Sequence, residues 1–316
     1  MSYSNKKLQI FILCRNRPEY AQEAVRSFKC QLTKDVELII SDNSTSDDVK
    51  NVLNDISTRM NYIRRTPALS AEEHFKAVVS EATADHFILF HDDDRALPAY
   101  VEAVLAAIVR FPDAPAIGFN GVKINHRGMR INNSQPLITS GFCGGVKALS
   151  AIDLISSYFL PDSFGIAPFP AYVYNRKHIN QHMFSHEKGG KYTDVSILLE
   201  LASKKNIVWV DKLGIEYRQH VYNDSADESI HHRLLLRRYL LKSGWLSLGS
   251  KEENFLRFRS WFFWWLQNKK KYNIFNPFQS WRNRVVAFYL LRCIVYYFFA
   301  SRKIRAWAFR KLGGSS

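Results

Sequence analysis

Three consecutive carboxylates, Asp92, Asp93 and Asp94, follow the apolar run Phe87–Phe90 and His91 in the stretch ILFHDDDRALP. The chain holds 44 Lys and Arg against 29 Asp and Glu, a formal net charge of +15, so three like negative charges side by side stand out. Adjacent carboxylates repel, and a positive partner relieves that repulsion. Carboxylate oxygens are hard ligands that suit Mg2+ or Mn2+, and such ions bridge one or two carboxylates to substrate phosphates. These residue types therefore point to a divalent cation holding a diphosphate. The other reading is an Asp-rich turn before a helix.

Two further polar clusters share the same setting. Arg15–Asn16–Arg17 follows the apolar run Leu8–Cys14, and Asp42–Asn43 follows Val36–Ile40. Helical spacing comes next in each case: Ala21, Ala24, Val25 and Phe28 after the first run, TSDDVKNVLNDI after the second. Thr45 or Ser46 offers an N-cap for that second helix, and Ser70 with Glu73 offers a capping box for SAEEHFKAVVSEA. NYIRRT reads as a short strand, HFILF as another, and LPAYVEAVLAAIVRFP as a helix closed by Pro112. Strand and helix thus alternate from Leu8 to Pro112, which predicts an α/β fold with a doubly wound, mostly parallel sheet. In such sheets ligands bind outside the carboxyl ends of the strands, where all three polar clusters fall.

Beyond Ala116 the pattern loosens. Gly141, Gly144, Gly145, Pro161, Pro168 and Pro170 predict loops and short strands as far as Pro170. TDVSILLELASKKN then reads as a helix with Thr193 as its cap, IVWVD as a strand, and GIEYRQHVYNDSAD as a strand and loop. A hydrophobic share of 47% is enough for a sizeable core. The four cysteines, Cys14, Cys30, Cys143 and Cys293, show no CxxC or metal-ligand spacing, so reduced thiols in a cytosolic compartment are expected. The opening MSYSNKKLQIFILC has too short an apolar run for a signal peptide and reads as a first strand.

The segments LQIFILCRNRPEYAQEAVRSFKCQ, VELIISDNSTSDD, ATADHFILFHDDDRALP, KYTDVSILLELASKKNIVWVD and YRQHVYNDSA resemble, in that order, those of the family 2 glycosyltransferases over residues 8–225. The resemblance implies a GT-A fold and inverting transfer of a sugar from a nucleotide-sugar to an acceptor hydroxyl. It implies that Cys14, Arg15, Asn16 and Arg17 embrace the nucleotide and that Asp42 faces the base. Arg65 of NYIRRT joins the nucleotide-sugar-binding set, and Asp92–Asp94 match the DXD motif that serves ribose and metal. Asp93 or Asp94 would be the direct ligand of Mn2+ or Mg2+, and His220 matches a histidine that in some members joins that site. Asp194 stands where the family places its general base; the alternative is that it favours the dipole of the helix it starts. The chain departs from the family pattern at Thr193, where an acid is usual, and at His91, where an aspartate is common. The segment ALSAEEHFKAV also offers Glu73 and His74 in place of the family's Gly, Arg and Asn.

Residues 251–316 carry 14 Lys and Arg and 19 aromatics, against Glu252 and Glu253 as the only acids. The longest apolar stretch there, Val285–Ala300, is broken by Arg292 and has 16 residues. That is short of the roughly 20 that span a bilayer. Basic helices with aromatic belts lie along anionic membrane surfaces. Packing into the core or against another copy is the second reading, and a nucleic-acid surface the third. The expected organisation is a GT-A domain over residues 1–225, with a nucleotide-sugar half to about 115 and an acceptor half beyond it. A helical, membrane-associating region would follow over 226–316. The expected enzyme acts peripherally at the cytoplasmic face of the inner (plasma) membrane, on a lipid-linked glycan acceptor in bacterial polysaccharide assembly, with no nucleic-acid partner. Two other functions compete. One is an inactive GT-A-like membrane or nucleic-acid adaptor, disfavoured by the retained carboxylates. The other is a nucleotidyltransferase, disfavoured because CRNRPEY has no Gly.

Overall fold

The computed structural model describes residues 6–56, 59–131, 135–138, 145–160, 166–220 and 230–268, together with 284, 285, 288 and 291; over 261–268 the backbone alone is described. The chain forms two compact units. The first comprises Met1–Ala151, Ala167–Ser185 and Ile197–Ala226, and the second Ile152–Ile166, His186–Ser196 and Asp227–Ser316.

The first unit is built on a mixed, largely parallel sheet. Its elements run β1 (Leu8–Cys14), α1 (Pro18–Lys29), β2 (Val36–Asp42), α2 (Asp48–Asn54), β3 (Asn61–Arg64) and α3 (Ala71–Glu81). They continue through β4 (His86–His91), β5 (Arg95–Ala96), α4 (Tyr100–Arg110), β6 (Ala116–Ile124), β7 (Val146–Leu149), β8 (Tyr172–Asn175) and β9 (Ile207–Arg218). The strand order is β3-β2-β1-β4-β8-β6-β9-β5, with β7 paired to β9. β3, β2, β1 and β4 are parallel, and β8 runs antiparallel to β4. All seven residues of β1 are buried, as an interior parallel strand covered on both faces requires.

The first helix shows how the sequence sets these elements. Pro18 begins α1, where its missing N–H has no helical partner to lose. Ala21, Ala24, Val25 and Phe28 form its buried stripe, and the Phe28 ring meets Phe90 of β4 edge-on at 4.9 Å. Truncating Phe28 to Ala would cost about 3–5 kcal/mol through lost packing. The capping box on α3 is present, with Ser70 and Glu73 each accepting the other's backbone N–H.

The parallel register places the functional loops. Cys14 lies opposite Asp42, Asp42 opposite Arg64, and Leu13 opposite His91. Four strands therefore end at nearly one level, and the chain turns there into Arg15, Asn43, Arg65 and Asp92.

Local expectations in the first unit are corrected. The stretch after Ala116 holds the nine-residue strand β6 and the helix α5 (Ala151–Phe159) rather than short irregular pieces. Within β6 Gly118 marks close packing: a Cβ there would sit 2.6 Å from the Tyr172 ring. IVWVD and GIEYR form one twelve-residue strand, and at Gly214 β9 passes the Tyr100 ring. At α2 neither Thr45 nor Ser46 caps. Asp47 holds the cap position without a side-chain bond, and the Ser46 hydroxyl donates to Asp48 at 2.7 Å.

The second unit contains most of α5, the first turn of α6 (Thr193–Lys204), α7 (Ile230–Lys242) and α8 (Lys251–Asn268). Thr193 is the first helical residue of α6 rather than its cap, and its hydroxyl donates to the Gly190 carbonyl at 2.6 Å. Leu236, Leu240, Leu246, Phe255, Leu256 and Phe258 are buried. Glu253, 1% exposed, is held by Arg237 at 2.7 Å and Arg257 at 3.1 Å. Phe255 and Phe258, counted above with the basic aromatic region, thus belong to a core. The apolar stretch Val285–Ala300 lies outside the described residues except at 285, 288 and 291. Among the described residues no helix is long and apolar enough to cross a membrane.

Candidate active site

The loop after β1 is pinned to its neighbours through backbone groups. The Arg15 N–H donates to Asp92 Oδ2 at 2.9 Å, and the Asn16 N–H donates to Ser44 Oγ at 2.8 Å. Asn16 adopts φ 53°, a left-handed conformation that Asn tolerates better than most residues. Its side-chain carbonyl accepts the Thr45 N–H at 2.8 Å. Cys14 is fully buried, and its carbonyl accepts the Asn43 N–H at 2.9 Å. Burial, with the charges of Asp92 and Asp42, pushes the Cys14 thiol up and keeps it protonated.

Asp42, at the end of β2, is saturated. Its Oδ1 accepts the Ser44 N–H at 2.9 Å. Its Oδ2 accepts the Tyr62 hydroxyl and Arg64 Nη1, the latter at 2.6 Å. Tyr62 and Arg64 sit two residues apart on β3 and so share a face. Arg65 turns the other way: its guanidinium donates to Ser41 Oγ at 2.9 Å and to Glu81 at 2.5 and 2.6 Å. Of the neighbouring arginines, then, Arg64 engages Asp42, while Arg65 is committed to Ser41 and Glu81. The sequence reading passed over Tyr62 and Arg64; a basic residue two places after an aromatic, on a strand paired with one ending in Asp, was the available signal.

The three aspartates are bound very differently. Asp92 and Asp93 share Arg17, whose Nη2 lies 2.6 Å from Asp92 Oδ1 and whose Nη1 donates to Asp93 Oδ2 at 2.6 Å. His220 Nε2 also lies 2.9 Å from Asp93 Oδ2. The ring of His220 rests 5.3 Å from Tyr20, and Tyr20 in turn carries the Arg218 guanidinium at 4.5 Å. Asp94 is fully buried and accepts the Arg218 N–H on Oδ1 at 2.8 Å, yet no hydrogen bond reaches its Oδ2 among the described residues. His91 Nδ1 stands 4.0 Å from that oxygen.

Electrostatics follow from these contacts. Burial, reinforced by the Asp93 charge, pushes Asp94 well above the usual carboxylate range, and the Arg218 N–H only partly opposes it. Burial acts on Asp93 too, but Arg17, His91 and His220 outweigh it and hold that carboxyl low. A divalent cation answers the deficit at Asp94. His91, Asp93 and Asp94 each offer one ligand atom, all within 4.8 Å of one another. A buried carboxylate oxygen that no hydrogen bond reaches among the described residues, beside two more donors, fits a hard metal ion. His91 and Arg218 were not among the residues singled out from the sequence; the departure from the family pattern at His91 was the one clue.

Asp194, half-buried in the second unit, accepts its own neighbour Val195's N–H at 2.9 Å. Burial raises its carboxyl to about 6, against that hydrogen bond.

The family model described as "Glycosyl transferase family 2" matches residues 9–158. Among solved structures, Staphylococcus aureus TarS 1–349 in complex with UDP-GlcNAc aligns with a TM-score of 0.54 and 13% identity, covering 86% of this chain and 75% of that one. The same protein in complex with UDP aligns with a TM-score of 0.51 and 12% identity, covering 86% and 74%. No curated protein matches. At such identities the likeness is one of fold, and it agrees with the sheet described above. The β1-to-α5 stretch, with its strand-end aspartates, thus carries a glycosyl transferase family 2 match, and the chain shares the mixed α/β, GT-A architecture of those structures.

Proposed function

We propose that the enzyme transfers a sugar, with inversion, from a UDP-sugar to a hydroxyl of a lipid-linked glycan acceptor in bacterial polysaccharide assembly. The observation that carries the donor half is the single level at which Arg15–Arg17, Asp42 and Asp92–Asp94 meet, with Asp94 Oδ2 buried and reached by no hydrogen bond among the described residues. The solved relatives were crystallised with UDP-GlcNAc and with UDP, which supports uridine as the base.

Asp93 and Asp94 would hold Mn2+ or Mg2+, with His220 or His91 beside them; when bound, the ion supplies positive charge against the diphosphate. The protein's own groups do the rest. Arg17 fixes Asp92 and Asp93 in one geometry, so the site is ordered before the donor arrives. Asp42 holds Tyr62 and the partly exposed Arg64 in place, and those two side chains offer hydrogen-bonding groups suited to a pyrimidine edge. Asp194 takes the proton of the acceptor hydroxyl as that oxygen bonds to the anomeric carbon and the bond to the leaving diphosphate breaks. A base raised to about 6 is mostly ionised at neutral pH yet more basic than an ordinary carboxylate.

The acceptor and location rest on sequence. Residues 269–316 hold eleven Lys and Arg and no acid, interleaved with aromatics, which favours an anionic membrane surface and an acceptor anchored there. The test is a panel of nucleotide-sugars incubated with the full chain and membranes containing lipid-linked acceptor, read as released nucleoside diphosphate. Release with one UDP-sugar, dependent on acceptor and abolished by chelator, is the expected result. Release that ignores chelator removes the metal, and no release from any donor removes the transferase reading.

A further inference from the structure

We infer that Phe75, backed by Phe169 and Phe184, is the surface against which the donor's sugar ring lies, through a face made of C–H groups. This rests on the donor reading proposed above and adds the residues that recognise its sugar end.

The strand order sets the direction in which a donor runs. β3, β2, β1, β4 and β8 lie side by side in that order. Tyr62 and Arg64 stand on β3 and Asp42 ends β2, so the base belongs on that side. Asp92–Asp94 follow β4, three strands across from β3, or about 14 Å at about 4.8 Å a strand. A diphosphate held there leaves its sugar one strand further on, towards β8. Because β8 runs antiparallel to β4, its first residues lie towards the carboxyl end of β4. The helical turn Phe169–Ala171 leads directly into them.

That next position is aromatic. Phe169 and Phe184, 9% and 2% exposed, pack together at 5.9 Å. Phe75 of α3 lies against both, stacked on Phe184 at 5.6 Å with an interplanar angle of 16° and 5.2 Å from Phe169. Phe75 itself is only half-buried, on a helix whose buried residues are His74, Val78 and Val79. The ring of His91, the last residue of β4, stacks on Phe169 at 6.3 Å and stands 6.5 Å from Phe75. The aromatic cluster therefore starts one residue before the aspartates and reaches the turn ahead of β8.

The chemistry suits a sugar better than a nucleotide. A pyranose carries its hydroxyls around the rim and C–H groups on its faces. An aromatic face is electron-rich and attracts such C–H groups, and covering apolar area is favourable in itself. Phe75 is already braced by two buried rings, so it loses little freedom when a ligand settles on it. The base and diphosphate are met by polar groups elsewhere, so Phe75 adds affinity for the sugar alone.

The test is calorimetric titration of the full chain, with Mn2+ present, using UDP, UDP-glucose, UDP-galactose and UDP-N-acetylglucosamine. Phe75→Ala should weaken the tightest of the three UDP-sugars about tenfold, the scale of one aromatic contact, and leave UDP within about twofold. Phe75→Leu fills the space without an aromatic face, and should still weaken that UDP-sugar about threefold or more. Phe75→Tyr keeps the face and should bind it within about twofold of the parent chain. Should Phe75→Ala not fold, the Leu and Tyr variants decide. Equal weakening of UDP and the UDP-sugar would make Phe75 a structural residue and overturn the inference. Unchanged UDP-sugar affinity in the Ala and Leu variants overturns it too, leaving the donor reading standing. A parent chain that binds neither UDP nor any of the three UDP-sugars removes both.

Discussion

The backbone N–H of Arg218 donates to Oδ1 of Asp94 at 2.8 Å, joining residues 124 positions apart. The end of β9 thereby fixes which oxygen of Asp94 remains for a cation. Arg218 adds a second tie, its Nε donating to the Asp93 carbonyl at 2.6 Å, and its guanidinium is itself held by an ion pair with Glu23 of α1. The aspartate loop is held from a strand far away in sequence.

Asp94→Asn keeps an acceptor for the Arg218 N–H and removes only the charge. Because burial disfavours that charge, the variant should fold at least as stably as the parent chain. It should lose Mn2+ affinity at least tenfold, and turnover should fall by about 10²-fold or more. Calorimetric titration with Mn2+ alongside thermal melting checks both. A destabilised variant with metal affinity intact would mean that the carboxylate is structural.

Asp194→Asn tests the base. A proton acceptor contributes about 10²–10⁴-fold, so kcat should drop by that factor with donor KM little changed. In the parent enzyme kcat should fall as pH drops through about 6, because the protonated carboxyl cannot accept.

Stability runs in the opposite direction. A carboxyl raised to about 6 when folded and near 4 when unfolded favours the folded state fully below about pH 4 and loses that contribution as pH rises through 6. Asp194→Asn should therefore raise the melting temperature by a few degrees above pH 6 and leave it unchanged near pH 4. A melting curve lowered at pH 7.5 would instead mark Asp194 as a helix-capping group.

Arg64→Ala would leave Asp42, which is fully buried, with Tyr62 and the Ser44 N–H alone. Since Arg64 is itself partly exposed, a loss of about 2–3 kcal/mol is expected, below the figure for a fully buried pair. Tyr62→Phe should cost about 1 kcal/mol. The Arg64→Ala, Asp42→Asn double variant should lose clearly less than the sum of the singles, and urea titration of all four proteins measures that coupling. Additive losses would deny the contact.

A chain ending at Asn268 retains α8, whose Phe255, Leu256 and Phe258 are buried, and removes eleven Lys and Arg. It should fold and bind nucleotide but no longer sediment with anionic vesicles. The full chain should sediment with them, more weakly as salt rises, at about 1 kcal/mol per basic residue near the surface. Equal sedimentation of both would remove the membrane role of the terminal residues.

Much of this frame was legible in the sequence, for reasons that differ by element. The parallel strands announced themselves as apolar runs ending in polar clusters, and α3 through its capping box, because both signals are local. β6 and β9 were harder to delimit: Gly118 and Gly214 make room for the Tyr172 and Tyr100 rings, which are distant in sequence. The aspartates stood out by their charge and by their place at the end of an apolar run, a setting two other polar clusters share. Their partners were harder: Arg218 and Tyr62 meet the site only through long-range pairing, and His91 became informative once its ring was seen between two phenylalanines.

The common level at which β1, β2, β3 and β4 end also sets which changes the gene can accept. Lengthening or recoding the loops that begin at Arg15, Asn43 and Arg65 leaves the ladder pairs Cys14–Asp42 and Asp42–Arg64 in place. Removing one residue from within β2 would shift every pair and turn each side chain to the opposite face. Drift towards a new sugar or base is thus channelled into loop substitutions, and single-residue deletions inside these four strands should be absent from functional descendants of this chain.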